Sequence, residues 1–190
     1  MIIGITGQTA TGKTSLTKAF AQRGYAVFDA DETYKHLLDT SVCMQKELLN
    51  EFNTLDRKVI LSRVIDDKES LERLNAITHK YVAEKIYEFV EENSEKNIVL
   101  DVPVPVEKGF IDITDIIIVT VASKKVQLSR LMQRYGINEE QACKRIKMQK
   151  GREDYLSIGD IILNTDKTDK SDLMTFTDSF ENTYIKVNKD

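Results

Sequence analysis

The feature that most constrains this chain is the octapeptide Gly7-Gln8-Thr9-Ala10-Thr11-Gly12-Lys13-Thr14, which matches the pattern G-x-x-x-x-G-K-[ST] in full. An apolar run, Ile2 to Thr6, precedes it, and residues 13–23 follow with Leu16, Ala19 and Phe20 on one helical face. A strand, a glycine loop and a helix in that order make a cradle for phosphate. The glycines let the backbone wrap closely with its N–H groups turned inward. The helix presents its positive end to the same anion. Lys13 reaches the β- and γ-phosphates of a nucleoside triphosphate, and the Thr14 hydroxyl is a ligand for Mg²⁺. A chance glycine-rich turn would lack one flank or the other. Gly24 then suits the left-handed position after a helix end.

Further along, short apolar runs alternate with helical patterns. Residues 26–28 read as a second strand ending at Asp29-Ala30-Asp31. Residues 32–92 are helical in pattern, most clearly at 45–52 and 71–91, with no strand-like run between. Residues 97–102, 116–121 and 160–163 read as three more strands, and Pro103 and Pro105 close the first of these. Residues 124–134 and 138–150 read as two helices joined at Gly136, and Leu173, Phe176 and Phe180 mark an amphipathic helix in the tail. Continuous apolar strands alternating with helices predict an α/β fold: a parallel five-stranded sheet covered on both faces. The expected division is a nucleotide-binding core (1–31, 93–123 and 151–190), a helical lobe (32–92) and a helical lid (124–150).

Composition narrows the function. The net charge of -4 provides no global field for nucleic acid or an anionic membrane, so any anion site is built locally. No apolar run approaches the roughly 20 residues of a membrane span. The two cysteines, Cys43 and Cys143, form no C-x-x-C and fit a reducing cytoplasm, with Cys143 read as a buried thiol. None of the glycines has an aspartate three positions before it, which removes the D-x-x-G switch of a GTPase. At 190 residues the chain is too short for a motor or large ATPase, and a small-molecule kinase fits its size. A monomer that binds neither nucleic acid nor membrane is expected.

Parallel sheets bind ligands at the carboxyl ends of their strands. That rule points to the loop after Thr6, to Asp29 and Asp31, and to Asp101. In an extended segment residues i and i+2 face the same way, so Asp29 and Asp31 are expected to face the phosphates together. One would take the proton of an attacking hydroxyl, and either suits Mg²⁺ through water. The alternative is a solvated strand end, with Asp31 capping a helix from Glu32. Asp101 follows Ile98-Val99-Leu100 as a Walker-B carboxylate would, or is an ordinary turn residue. Segment 124–152 is strongly basic, and Arg130 and Arg134 share a helix face. They would close over the triphosphate, or form a solvated charged face. His79 lies on the polar side of its helix, where a lone histidine is more often structural.

Taken together these residues resemble the dephospho-CoA kinase family from Ile2 to about Asn164. The resemblance is carried by Ile5-Thr6-Gly7 with Gly12-Lys13-Thr14-Ser15, by Val27-Phe28-Asp29-Ala30-Asp31, and by Asp56-Arg57 with Leu61. Leu74-Asn75-x-Ile77-x-His79, Leu100-Asp101-Val102-Pro103, Arg130-Leu131-Met132-x-Arg134, Arg145-Ile146-x-x-Gln149 and Asp160-Ile161-Ile162-Leu163-Asn164 continue it. It implies transfer of the ATP γ-phosphate to the ribose 3′-hydroxyl of dephospho-CoA, the last step of coenzyme A synthesis. It implies Asp31 as general base, and Lys13, Arg134 and Arg145 steadying phosphates. ATP would contact Gly7, Thr9, Ala10, Thr11, Gly12, Lys13, Thr14, Ser15, Arg130 and Asn164. The acceptor would lie by Asp29, Asp31, Arg57, His79 and Asp101, and Thr14 and Asp101 would serve Mg²⁺. The chain departs from the family at Lys80, where proline is usual, at Val104-Pro105-Val106, and at Gln8-Thr9-Ala10-Thr11. Two rival readings are a kinase of another nucleoside or small alcohol, and a silent ATP-binding regulator or nucleic-acid binder.

Overall fold

The computed structural model describes residues 1–64 and 67–185. Its centre is a sheet of five parallel strands, β1 (Ile2–Thr6), β2 (Ala26–Asp29), β3 (Ile98–Asp101), β4 (Ile116–Val121) and β5 (Ile161–Asn164), in the order β2-β3-β1-β4-β5. The β-branched content of β1 and β4 suits this position, since Ile3, Ile5, Ile118 and Val119 are fully buried. Register decides what meets at the carboxyl edge. Asp101 pairs with Ile5 on one side and with Asp29 on the other, so both aspartates stand level with the end of β1.

Helix α1 (Lys13–Ala21) covers one face, and α9 (Lys170–Phe180) packs against it. Phe20 is the hinge of that contact, edge-on to Tyr25 at 5.0 Å and to Phe180 at 5.5 Å between centroids. Arg23 ties the same two helices, donating to Thr177 Oγ1 at 2.8 Å and pairing with Glu181 and Asp178. On the other face Phe110 is fully buried, and its ring stands where a Cβ on Gly4 would fall, at 2.7 Å. Gly24 has φ of +86°, the left-handed turn expected after α1.

Between β2 and β3 run α2 (Ala30–Thr40), α3 (Val42–Phe52), α4 (Arg57–Val64) and α5 (Lys68–Glu92). They enclose an apolar cluster of their own, with Leu37, Met44, Leu48, Phe52, Ile60 and Leu74 at its heart. α5 begins where Asp67 accepts the N–H groups of Glu69 and Ser70, and it runs unbroken through Lys80. With lysine in place of a proline, no backbone donor is lost there. Lys80 instead pairs with Glu47 of α3 at 2.9 Å.

Helices α6 (Lys124–Tyr135) and α7 (Glu139–Lys147) meet at Gly136, whose φ of +62° makes the elbow. α7 is shorter than its pattern suggests, because the next residues are drawn to the glycine loop. Its buried stripe is narrow: Ala142 is buried, and the adjacent Cys143 is half-buried rather than fully enclosed. A short helix, α8 (Arg152–Leu156), was not expected. Its Tyr155 is buried and donates to the Pro103 carbonyl at 3.1 Å. Among the described residues no helix is long and apolar enough to cross a membrane.

Candidate active site

The glycine loop is held both by bonds of its own and by its neighbours. Gly7 has φ of +140°, and a Cβ there would fall 2.4 Å from the Thr120 carbonyl oxygen, so no larger residue fits. Thr11 Oγ1 lies 2.7 Å from the Gln8 carbonyl and 2.8 Å from Thr120 Oγ1. Thr165 Oγ1 donates to the Thr11 carbonyl at 2.7 Å. At its far end Gly12, with φ of +96°, starts α1 without a side-chain cap. The first N–H groups of that helix therefore face the loop's concavity, where an anion fits them. Lys13 Nζ folds over the loop, donating to the carbonyls of Gly7 at 2.6 Å and Gln8 at 3.1 Å. Burial is the main influence on this ammonium and holds its pKa below the usual lysine value; Asp101 and Asp31 oppose that, and Arg134 adds to it.

The loop floors a cleft of about 660 Å³, a size that takes a nucleotide. Asp29, Asp31 and Asp101 stand on one wall. The first two are not consecutive outward positions of a strand, as alternation predicts. The chain turns into α2 at Ala30, so Asp29 is the N-cap and accepts the Glu32 N–H at 2.9 Å, while Asp31 lies in the first helical turn. The cap thus falls on Asp29, not Asp31. Asp101 is only 7% exposed and accepts from Thr17 Oγ1 at 3.0 Å. Burial pushes its carboxyl above the usual carboxylate range; Lys13 and the Thr17 hydroxyl oppose this, while Asp29 and Asp31 add to it.

Arg130, Arg134 and Tyr135 of α6 and Gln149 beyond α7 form the facing wall. Gln149 Oε1 accepts the Thr9 N–H at 2.6 Å, and Gln8 Nε2 donates to the Lys150 carbonyl at 3.0 Å. Arg145 is not on the cleft wall. Its guanidinium carbon lies 4.4 Å from the centroid of the Tyr135 ring, which Arg134 also approaches, at 5.3 Å.

Comparison with known proteins fits this geometry. A family model described as Dephospho-CoA kinase matches residues 1–171. The chain belongs to the dephospho-CoA kinase family. It is 35% identical over 171 residues to a dephospho-CoA kinase of Fusobacterium nucleatum, covering 86% of this chain and 88% of the relative. To one of Thermobifida fusca it is 32% identical over 177 residues, covering 88% of each. The fold matches a crystal structure from Thermus thermophilus with a TM-score of 0.80 at 24% identity, covering 97% of both chains. A shikimate kinase from Bacteroides thetaiotaomicron shares it with a TM-score of 0.61 at 18% identity, covering 96% of this chain and 97% of that one. Dephospho-CoA kinases are ATP-dependent transferases that phosphorylate a hydroxyl, and this chain has their P-loop kinase fold.

The dephospho-CoA kinase scaffold brings together Thr9 to Ser15, Asp29, Asp31, Asp101, Arg130 and Arg134 around one cleft. It leaves five of the expected site residues off the cleft lining: Gly7, Arg57, His79, Arg145 and Asn164. Asn164 ends β5 and serves the following turn, its Oδ1 accepting the Asp166 N–H at 2.9 Å. Arg57 lies over the Tyr34 ring at 5.5 Å, on the surface of the helical segment. His79 is half-buried on α5, and burial, then the charge of Lys150, keep its pKa below the ordinary histidine value. Arg145 lies against the Tyr135 ring, and Gly7 lies under the loop against Thr120. Sequence reasoning missed the far end of the cleft, where Thr165, Thr168, Lys170, Leu173 and Met174 stand. The signal was available, because these residues follow β5 and the carboxyl-edge rule applies to that strand too.

Arg130 proves to be a strut as much as a ligand. It donates from Nη1 to the Ala10 carbonyl at 3.0 Å and to Thr165 Oγ1 at 2.9 Å, and from Nη2 to the Thr165 carbonyl at 2.6 Å. Lysine cannot reproduce that fork. Arg130→Lys is expected to cost about 1.5–3 kcal/mol, read as a fall of roughly 3–10 °C in melting temperature. An unchanged melting curve would show that the fork does not support the loop.

Proposed function

We propose that this chain transfers the γ-phosphate of ATP to the ribose 3′-hydroxyl of dephospho-CoA, giving coenzyme A and ADP. The observation that carries this reading is the meeting of Lys13, Asp31, Asp101 and Arg134 in one cleft over the glycine loop. The loop amides and the start of α1 take the triphosphate. Lys13 exchanges its loop carbonyls for the β- and γ-phosphates. Asp31 accepts the proton of the attacking hydroxyl. Its neighbour Asp29 is occupied by the helix cap, which leaves Asp31 the freer carboxylate. Arg134 on the cleft wall, and Arg145 once movement of α7 brings it in from beside Tyr135, stabilise the charge that develops on the transferring group.

The residues present suit Mg²⁺. Asp29, Asp31 and Asp101 line the cleft, and burial first, then the charges of Asp29 and Asp31, push the Asp101 carboxyl up. Among the described residues no three such side chains stand close enough to hold a metal by themselves, so the phosphates would complete its shell. Hard oxygen ligands of this kind, with phosphates and water, are what the ion takes. Thr14 and Asp101 would hold it, and when bound it would neutralise charge on the β- and γ-oxygens. Residues 32–92 serve as the acceptor lobe, with Arg57 and His79 toward the CoA moiety, and residues 124–150 as the lid. Residues 1–31, 93–123 and 151–190, of which 186–190 lie outside the described residues, make the nucleotide core.

A coupled ADP-release assay with purified protein tests the reading. ADP should appear only when dephospho-CoA is supplied, and the product should carry a 3′-phosphate. ADP release no greater than with ATP alone would reject this acceptor, and a panel of nucleosides and small alcohols would then identify another.

A further inference from the structure

The lid carries two arginines whose charges are balanced by no carboxylate. Among the described residues the ion pairs include none to Arg134 or Arg145. On α7 itself, Glu140 is paired with Lys144 at 3.0 Å. What both guanidiniums share is one aromatic ring. Tyr135 ends α6, just before the elbow at Gly136, and its ring lies 5.3 Å from Arg134 and 4.4 Å from Arg145 of α7. Tyr135 is 44% exposed and stands on the wall of the nucleotide cleft. It is therefore not a core residue that happens to touch arginine.

We propose that Tyr135 is a positioning residue, whose ring bridges the α6–α7 elbow and holds Arg134 on the cleft wall and Arg145 just outside it, both unpaired, until a triphosphate takes them. The negative face of an aromatic ring attracts a guanidinium without neutralising it. A carboxylate in the same place would form a charge-assisted pair that the triphosphate would have to break. The ring thus keeps two like charges close together and still available. It also limits their rotamers, so less freedom is lost when they close on phosphate. This inference rests on the roles given above to Arg134 and Arg145.

The test uses the full chain and reads ATP affinity by titration calorimetry, with no acceptor present. Tyr135→Leu is expected to weaken ATP binding roughly tenfold. Tyr135→Phe keeps the ring and is expected to bind ATP as the wild type does. In an Arg134→Ala, Arg145→Ala background the leucine change should cost nothing further, since the ring then has nothing to hold. Thermal melts of each variant identify any loss of fold, which the exposure of Tyr135 makes unexpected. Tyr135→Leu binding at wild-type strength would overturn the proposal. So would a phenylalanine variant as weak as the leucine one, or an equal leucine penalty in the arginine-free background. Because no acceptor enters this titration, a failure of the dephospho-CoA assay would leave its outcome readable.

Discussion

Asp31→Asn is expected to leave ATP affinity near that of the wild type and to lower kcat by about 10²–10⁴, the range for loss of a positioned general base. The effect follows from how α2 begins. Asp29 spends its carboxylate on the Glu32 N–H, while Asp31 sits one step into the helix, on the wall that faces Lys13. An amide at position 31 has nearly the same shape but no proton affinity, so only the chemical step should suffer. Asp29→Asn is the matched control, because asparagine caps a helix as well as aspartate does. It should lose much less turnover. Steady-state kinetics with both substrates varied, together with calorimetric ATP binding, separates the two. A near-normal kcat for Asp31→Asn would remove the base assignment.

Lys13→Ala should reduce kcat/KM for ATP by about 10²–10³, comparable to removing one preorganised donor from a developing anion. Lys13 folds directly over the loop, and its ammonium is held among Gly7, Gln8 and the nearby Asp101. Burial lowers its pKa, so its charge is already partly uncompensated and gains most when phosphate arrives. The same variant should lose most of the rise in melting temperature that ATP gives the wild type, since that rise follows ligand affinity. Unchanged kinetics and an unchanged ATP-induced shift would contradict the phosphate-loop reading.

Local signals predicted the nucleotide half of the molecule well, for physical reasons. β4 runs from Ile116 to Val121, the bounds its β-branched run predicts, because a strand buried on both faces needs apolar residues throughout. The loop was legible because its glycines and flanks are local requirements. Where the chain turns was harder to read. The alternation at Asp29 to Asp31 suggested an extended segment, but a helix cap competes for the same carboxylate and wins. Arg130 reads as a ligand or as part of a solvated charged face, because nothing in the sequence announces the Thr165 carbonyl that fixes it. The α6–α7 segment was legible as basic, yet which arginine enters the cleft depends on an elbow at Gly136 and one ring beside it. Likewise α8 is a five-residue element, too short for periodicity to reveal.

The clasp between α1 and α9 has a consequence for synthesis of the protein. Arg23 and Thr177 are 154 residues apart, yet together they close the back of the helix that follows the phosphate loop. At roughly 5–20 residues per second, a ribosome would release the second partner about 8–30 s after the first. Throughout that interval Phe20 has no Phe180 to cover it, and the wall of Leu173 and Met174 is missing from the cleft. The helix after the phosphate loop thus matures only once α9 has been made. A product arrested before α9 would carry the whole glycine motif and still present a greasy, unfinished helix to chaperones instead of a place for ATP.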